Sequence, residues 1–212
     1  AMSPSGGQGS AIGLVAAQDY IRETLIDGGF GYNEEKKPET NDGDDSDEKY
    51  NTVTDWYRAS GEKKPTVTVQ SSVLAADLQN GINGGEYLVG AEIKNIIAAI
   101  PSKKQNAKSI IVTVRYDSRP DTVGAADNAA FVANAMQTLI EYVKSGAQFD
   151  NDIIVVFTED LDKSYGAYAF FNLFKGLDDV TERAVAGISL DAYGNGGTLA
   201  LTDASGAGLD YI

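Results

Sequence analysis

Histidine and cysteine are both missing from the 212 residues. Without imidazole the chain cannot build a Ser-His-Asp triad, a Cys-His pair, a His proton shuttle or the usual mixed His/carboxylate zinc site from its own residues. Without thiols it has no disulfides, although both cytosolic and exported proteins can lack cysteine, so this absence does not place it. Positive charge is scarce too: 17 Lys+Arg stand against 31 Asp+Glu, a net charge of -14. A nucleic-acid partner needs a basic face, which such a chain lacks, and anionic membranes are disfavoured on the same ground. No apolar run reaches the roughly 20 residues of a transmembrane helix. Gly-x-Ser-x-Gly elbows, Walker loops and Gly-x-Gly-x-x-Gly turns after a strand are absent as well.

What remains is the composition of a globular domain, 42% hydrophobic and 23% charged. We read one domain over residues 3–212, with Ala1 and Met2 set aside as the remnant of a cleaved tag on a piece of a longer protein. Leu14, Ala17, Ile21 and Leu25 recur at helical spacing, and Gly28-Gly29 closes that helix. Residues 31–64 form an acidic, polar excursion. Its Asp42, Asp44, Asp45 and Asp47 do not follow the ligand order of an EF-hand, so a solvated loop is expected rather than a calcium site. Strands are expected at Thr66 to Val73 and within Tyr87 to Ile100. Stronger ones follow at Ile110 to Val114 and Asp152 to Thr158, where continuous β-branched runs suit strands buried on both faces, and Ala184 to Leu190 makes a third. Between them a long helix carries Val132, Ala135, Met136, Leu139, Ile140 and Val143 on one face and ends near Gly146. A further helix covers Ser164 to Phe174, where Tyr165, Tyr168, Phe170, Phe171 and Phe174 are expected in the core. The alternation predicts an α/β fold: a largely parallel sheet with helices on both faces.

In such sheets sites lie beyond the carboxyl ends of the strands. Each of the three central strands ends in charge: Arg115 and Asp117, then Glu159, Asp160 and Asp162, then Asp191. Asp127, at the start of the long helix, has the position of an N-cap. Each residue taken alone is an acidic loop residue or a helix cap, but charge after every central strand points to a site.

Four stretches then resemble, in order, the motifs of the co-catalytic zinc exopeptidases that include bacterial leucyl aminopeptidases and glutamate carboxypeptidase. They are Val114-Arg115-Tyr116-Asp117-Ser118, Gly124-Ala125-Ala126-Asp127-Asn128, Val156-Phe157-Thr158-Glu159-Asp160 and Ser189-Leu190-Asp191-Ala192-Tyr193-Gly194. The family pattern is His-x-Asp-Ser, Gly-Ala-x-Asp-Asn, Glu-Glu and Asp-x-x-Gly, and Pro4 to Leu25 resembles its leading segment. The resemblance implies a three-layer αβα sandwich around a mainly parallel mixed sheet, ending short of the family's final histidine. It places the bridging carboxylate on Asp127, the general base on Glu159, a terminal zinc ligand on Asp160, the other zinc's carboxylate on Asp191, and on Asp117 the residue that orients the first histidine. Asp162 is the alternative in the acidic cluster, because Glu159 to Phe170 fits the family only with a gap. The resemblance also implies a peptide after the bridging aspartate, Asp127-Asn128, that is often cis.

Zinc is the family's cofactor, yet the first histidine is Arg115 here. Four carboxylates within ~4 to 6 Å repel by roughly 4 kcal/mol per close pair at an effective dielectric near 20. Two zinc ions would offset that, and Arg115 supplies one permanent positive charge through a fork suited to a carboxylate. We therefore expect a degenerate, non-catalytic member with no cofactor, acting as a binding or assembly module for a peptide or protein. A second reading is an active metallo-exopeptidase whose missing ligand comes from beyond Ile212, with an all-carboxylate site favouring a harder ion. A third is a structural domain with no site. The resemblance suggests an extracellular or membrane-anchored extracytoplasmic setting.

Overall fold

The computed structural model describes residues 8–33, 63–78, 87–118, 124–160, 164–173 and 183–191. Six strands form one sheet: β1 (Gly31–Asn33), β2 (Thr66–Leu78), β3 (Tyr87–Ile100), β4 (Ser109–Arg115), β5 (Asp152–Thr158) and β6 (Ala184–Leu190), in the spatial order β1-β2-β3-β5-β4-β6. Three pairings are parallel, β1 with β2, β5 with β4 and β4 with β6, and the two that involve β3 are antiparallel. The helices are α1 (Gln8–Asp27), α2 (Ala130–Ser145) and α3 (Tyr165–Tyr168), the last continuing into a π-helical turn, Ala169–Leu173.

The continuous β-branched runs of β4 and β5 are largely buried because helices cover both faces of the sheet there, whereas β6 is mostly exposed. Side chains alternate across a strand, so β5 sends Val155 and Phe157 one way and Ile154 and Val156 the other. The first pair packs with Ile21 and Leu25 of α1 and with Val132, Met136 and Leu139 of α2. On the opposite face, Ile111, Ile154 and Val156 meet Phe170. At the end of α1 Gly28 N–H donates to the Thr24 carbonyl, and Gly29 takes a φ of 106°, which suits a residue without a Cβ.

Several expectations shift. The excursion expected from Gly31 starts instead with β1, whose three residues pair with Thr66 to Thr68; residues 34–62, including Asp42 to Asp47, lie outside those described. The strand expected from Thr66 to Val73 runs to Leu78, because β2 and β3 form one long antiparallel ladder of which β5 pairs only with Ile96 to Ile100. Of the aromatic residues expected in the core, Phe170 is buried, whereas Tyr168 and Phe171 are 53% and 43% exposed. Tyr168 belongs to the last residues of α3 and Phe171 to the turn that follows, so the single helical face read from the sequence does not persist. Phe174 is outside the described residues.

Candidate functional site

The parallel strands β4, β5 and β6 end at one edge of the sheet, and the polar residues of that edge sort by alternation. Thr113 and Arg115, Thr158 and Asp160, and Ser189 and Asp191 are each two apart, and all six line a cavity of about 280 Å³ together with Ser164 and Leu190. Its lining is mostly hydroxyls and charge.

Arg115 is the centre of the charge. Its Nη2 donates to Asp127 Oδ1 and lies 3.8 Å from Asp191 Oδ1. Its side chain is 14% exposed. Burial works against the guanidinium's charge, but the hydrogen bond to Asp127 and the charges of Asp127, Asp117 and Asp191 outweigh it and hold its pKa above the ordinary value. Asp127 does not cap a helix as its position suggested. It lies in a non-helical kink (φ -128°, ψ 82°), three residues ahead of α2, whose first turn carries no side-chain cap. Its carboxylate turns to Arg115 instead. The Asp127-Asn128 peptide bond is cis, and buried Asn128 donates from Nδ2 to the Leu190 carbonyl at 2.9 Å, tying this turn to β6.

Asp160 lines the cavity while holding its own loop. Thr158 Oγ1 donates to one of its oxygens at 2.7 Å and the Ala167 N–H to the other at 3.1 Å, so it tethers the first turn of α3.

Glu159 points the other way and is not among the residues lining the cavity. It is 4% exposed, and its Oε2 accepts from the Lys94 N–H at 2.8 Å and from Gln18 Nε2 at 3.3 Å, with the Tyr116 hydroxyl at 3.2 Å. That hydroxyl also accepts from Gln18 at 2.8 Å and lies 2.8 Å from the Lys94 carbonyl, so its one proton serves either acceptor in turn. Burial pushes the Glu159 carboxyl up to about 6, helped by the charge of Asp117 and opposed by the Lys94 N–H and Tyr116. Burial and the charge of Glu159 raise Tyr116 well above its ordinary value. Asp117 is buried as well and acts electrostatically on both Arg115 and Glu159.

The structure thus brings Arg115, Asp160 and Asp191 to the cavity, joins Asp127 to it through Arg115, and holds Glu159 in the interior. Asp162 lies outside the described residues. The hydroxyls of Thr113, Thr158, Ser164 and Ser189 escaped the sequence reading, though the first, second and fourth were legible as residues two before each charged strand end. Gln18 and Tyr116 carried no sequence signal beyond their helix and strand positions.

Two zinc ions do not fit this donor set. The chain has no His and no Cys. Asp127 and Asp191 both face a guanidinium, which has five donors and no lone pair for a metal. Among the described residues no three His, Cys, Asp or Glu converge as a metal's ligands would.

The sequence model of peptidase family M28 matches residues 95–211. A protein of Caenorhabditis elegans named as an endoplasmic reticulum metallopeptidase 1-A is 28% identical over 108 residues, which are 50% of this chain and 12% of that protein. Among solved structures, the glutaminyl cyclase of Macrostomum lignano superposes with a TM-score of 0.55 at 15% identity, over 92% of this chain and 49% of its own. The glutaminyl cyclase of Fimbriiglobus ruber does so with a TM-score of 0.52 at 17% identity, over 90% and 56%. At these identities the likeness shows the fold. The chain spans a small part of the curated relative and about half of each of these solved structures.

Proposed function

The chain belongs to peptidase family M28, and from that premise we propose that its strand-end cavity is a metallopeptidase site turned into a non-hydrolytic binding site for the end of a peptide or protein. The observation that carries this is the Arg115 guanidinium held against Asp127 and within 3.8 Å of Asp191. Asp127 and Asp191 are the carboxylates on which the family's bridging and second-zinc ligands fall. In this reading Arg115 takes over part of the charge balance that metal ions supply in the family. It keeps its protons at any accessible pH, so it can neither ligate a metal nor act as a base. No hydrolytic step is derived from this site.

What the cavity offers a ligand is complementary to a peptide terminus. The carboxylates of Asp160 and Asp191 suit an ammonium group, and the hydroxyls of Thr113, Thr158, Ser164 and Ser189 suit main-chain N–H and carbonyl groups. An extracytoplasmic setting agrees with the name of the Caenorhabditis elegans relative. Among the described residues no helix is long and apolar enough to cross a membrane, so any membrane tether would lie elsewhere.

Elemental analysis of protein purified without chelator is expected to find zinc far below one per chain, and aminopeptidase and carboxypeptidase assays with added zinc or manganese are expected to release no amino acid. Near-stoichiometric zinc with hydrolysis would mean an active enzyme. Peptides with a free amino terminus should perturb the NMR signals of Ser164 and Ser189 more than their acetylated forms. Arg115→His removes the guanidinium and returns an imidazole beside the carboxylates, and it is expected to take up zinc in a calorimetric titration. A variant that takes up none would show that Arg115 is not what keeps the metal out.

A further inference from the structure

A net charge of -14 hides an uneven distribution. At the edge of the sheet opposite the cavity β2 starts, β3 ends and β4 and β5 start, since the registers set Thr66 level with Ala99, Ala99 with Ile154 and Ile154 with Ile111. Two of the connections at this edge carry lysines. One brings Lys63 and Lys64 to β2. The other, residues 101–108 between β3 and β4, reads Pro-Ser-Lys-Lys-Gln-Asn-Ala-Lys and holds no acidic residue. The two touch, because Lys63 Nζ donates to the Lys104 carbonyl. Lys63, Lys64, Lys103, Lys104 and Lys108 are half of the Lys and Arg residues described, and all but Lys63 are exposed.

Little opposes this charge locally. Lys104 Nζ meets Asp150 Oδ1 at 2.7 Å, with both side chains mostly exposed. Asp152 is buried and accepts from the Ser102 N–H at 2.8 Å, so its carboxylate anchors the connection from inside. Residues 87–118 are described without a break, so β3, β4 and the connection between them fix where Lys103, Lys104 and Lys108 stand. The acidic cavity is too far away to cancel them. β4 and β5 have seven residues each, which at ~3.3 Å per residue separates the two edges by ~23 Å. That is about three screening lengths at ~0.15 M salt.

The size of the edge selects what fits it. β2, β3, β5 and β4 are neighbours in that order, and three spacings of ~4.8 Å make a face ~15 Å wide, the length of about four or five extended residues. A nucleic-acid duplex or an anionic bilayer reaches well beyond that width and meets the acidic remainder of the chain, which repels it. An extended acidic segment fits on the edge alone. Lysine serves carboxylates as a mobile point charge, whereas phosphate recognised by its shape draws on the arginine fork, and none of the five is Arg.

We propose that the edge carrying Lys63, Lys64, Lys103, Lys104 and Lys108 is a docking surface for an Asp/Glu-rich segment of a partner protein. It does not depend on the reading of the cavity, which lies at the other end of the strands.

The test is a titration of the 212-residue chain with a blocked peptide of alternating Asp and Glu, about ten residues long so that it overhangs the edge, followed by amide NMR shifts. Saturable shifts are expected at Lys64 and from Lys103 to Lys108 in ~0.02 M salt, with about tenfold weaker binding at ~0.15 M. A peptide of Asn and Gln should cause none. Lys103→Gln/Lys108→Gln should weaken binding about fivefold, the scale of two exposed ion pairs, with unchanged circular dichroism. Ala133→Glu/Asn134→Asp, at exposed positions of α2, makes the same change in net charge away from the edge and should weaken binding by less than about twofold. Absence of shifts at 103–108, or equal weakening by the two double variants, overturns the proposal. So does tighter binding of duplex DNA or of phosphatidylserine vesicles than of the peptide, which would mean that a phosphate surface is recognised. Displacement of the Asp42 to Glu48 signals by Lys103→Gln/Lys108→Gln without peptide overturns it too, because the chain's own acidic residues would then hold the edge.

Discussion

Glu159 carries a carboxyl into a place where 4% of its surface meets solvent and three donors converge on one oxygen. Because burial raises its pKa from 4.5 to about 6, the folded state holds this proton more tightly than the unfolded chain does. Its contribution to stability is therefore fully present below pH 4.5 and declines as the pH rises through 6. From pH 5 to 7.5 the loss is about 1 kcal/mol. Glu159→Gln keeps an acceptor for the Lys94 N–H and removes the titration. Urea unfolding of the two proteins at both pH values should show a stability difference that shifts by about that amount in favour of the variant at the higher pH. An unchanged difference would mean that Glu159 is not held in this network in solution. Glu159 also shows what was legible at this scale. The sequence reading placed Glu159 and Asp160 together in one site because the family resemblance sets them on its adjacent Glu-Glu pair. Adjacency near a strand end means opposite faces, so one residue enters the interior and the other the cavity. Reading by twos, as with Thr113 and Arg115, finds residues that share a face.

At the scale of elements, β4, β5 and the long helix were legible because burial leaves a strong pattern: continuous β-branched runs where helices cover both faces, and a 3.6-residue apolar period where one helix face meets the sheet. β1 was not, because three residues are too short to show a period and it exists through its pairing with β2. The turn carrying Asp127 was legible as a motif but not in its geometry, since its carboxylate answers to Arg115 twelve residues earlier. The join between α3 and the sheet depends on a contact that no local pattern reports. A Cβ on Gly166 would stand 2.6 Å from Asn95 Oδ1 and 2.7 Å from both the N and the O of Glu159. Asn95 is fixed in turn, donating to Gln70 Oε1 at 2.9 Å and to the Gly166 carbonyl at 2.8 Å. Neither side can yield cheaply, so Gly166→Ala is expected to cost about 2 kcal/mol, within the range for overpacking a filled interior. Thermal unfolding should show a lowered midpoint, and cross-peaks of α3 should move more than those of α2. A neutral effect would show that α3 can shift away from β3 and β5 without loss.

For the molecule as a whole, a net charge of -14 opposes compactness, because like charges stand closer together in the folded chain than in the unfolded one. Against it work local ion pairs such as Arg22–Asp19 and Lys104–Asp150, each worth less than about 1 kcal/mol. The two contributions respond to salt with opposite signs, so magnitude decides. The repulsion is summed over every charge within a screening length, which falls from ~30 Å at 0.01 M salt to ~8 Å at 0.15 M. Loss of long-range repulsion should outweigh weakening of the local pairs, so the urea midpoint at pH 7.5 should rise between those salt concentrations. A midpoint that falls steadily from 0.01 M upward would mean that local ion pairs, rather than the acidic surplus, govern how salt acts on the fold.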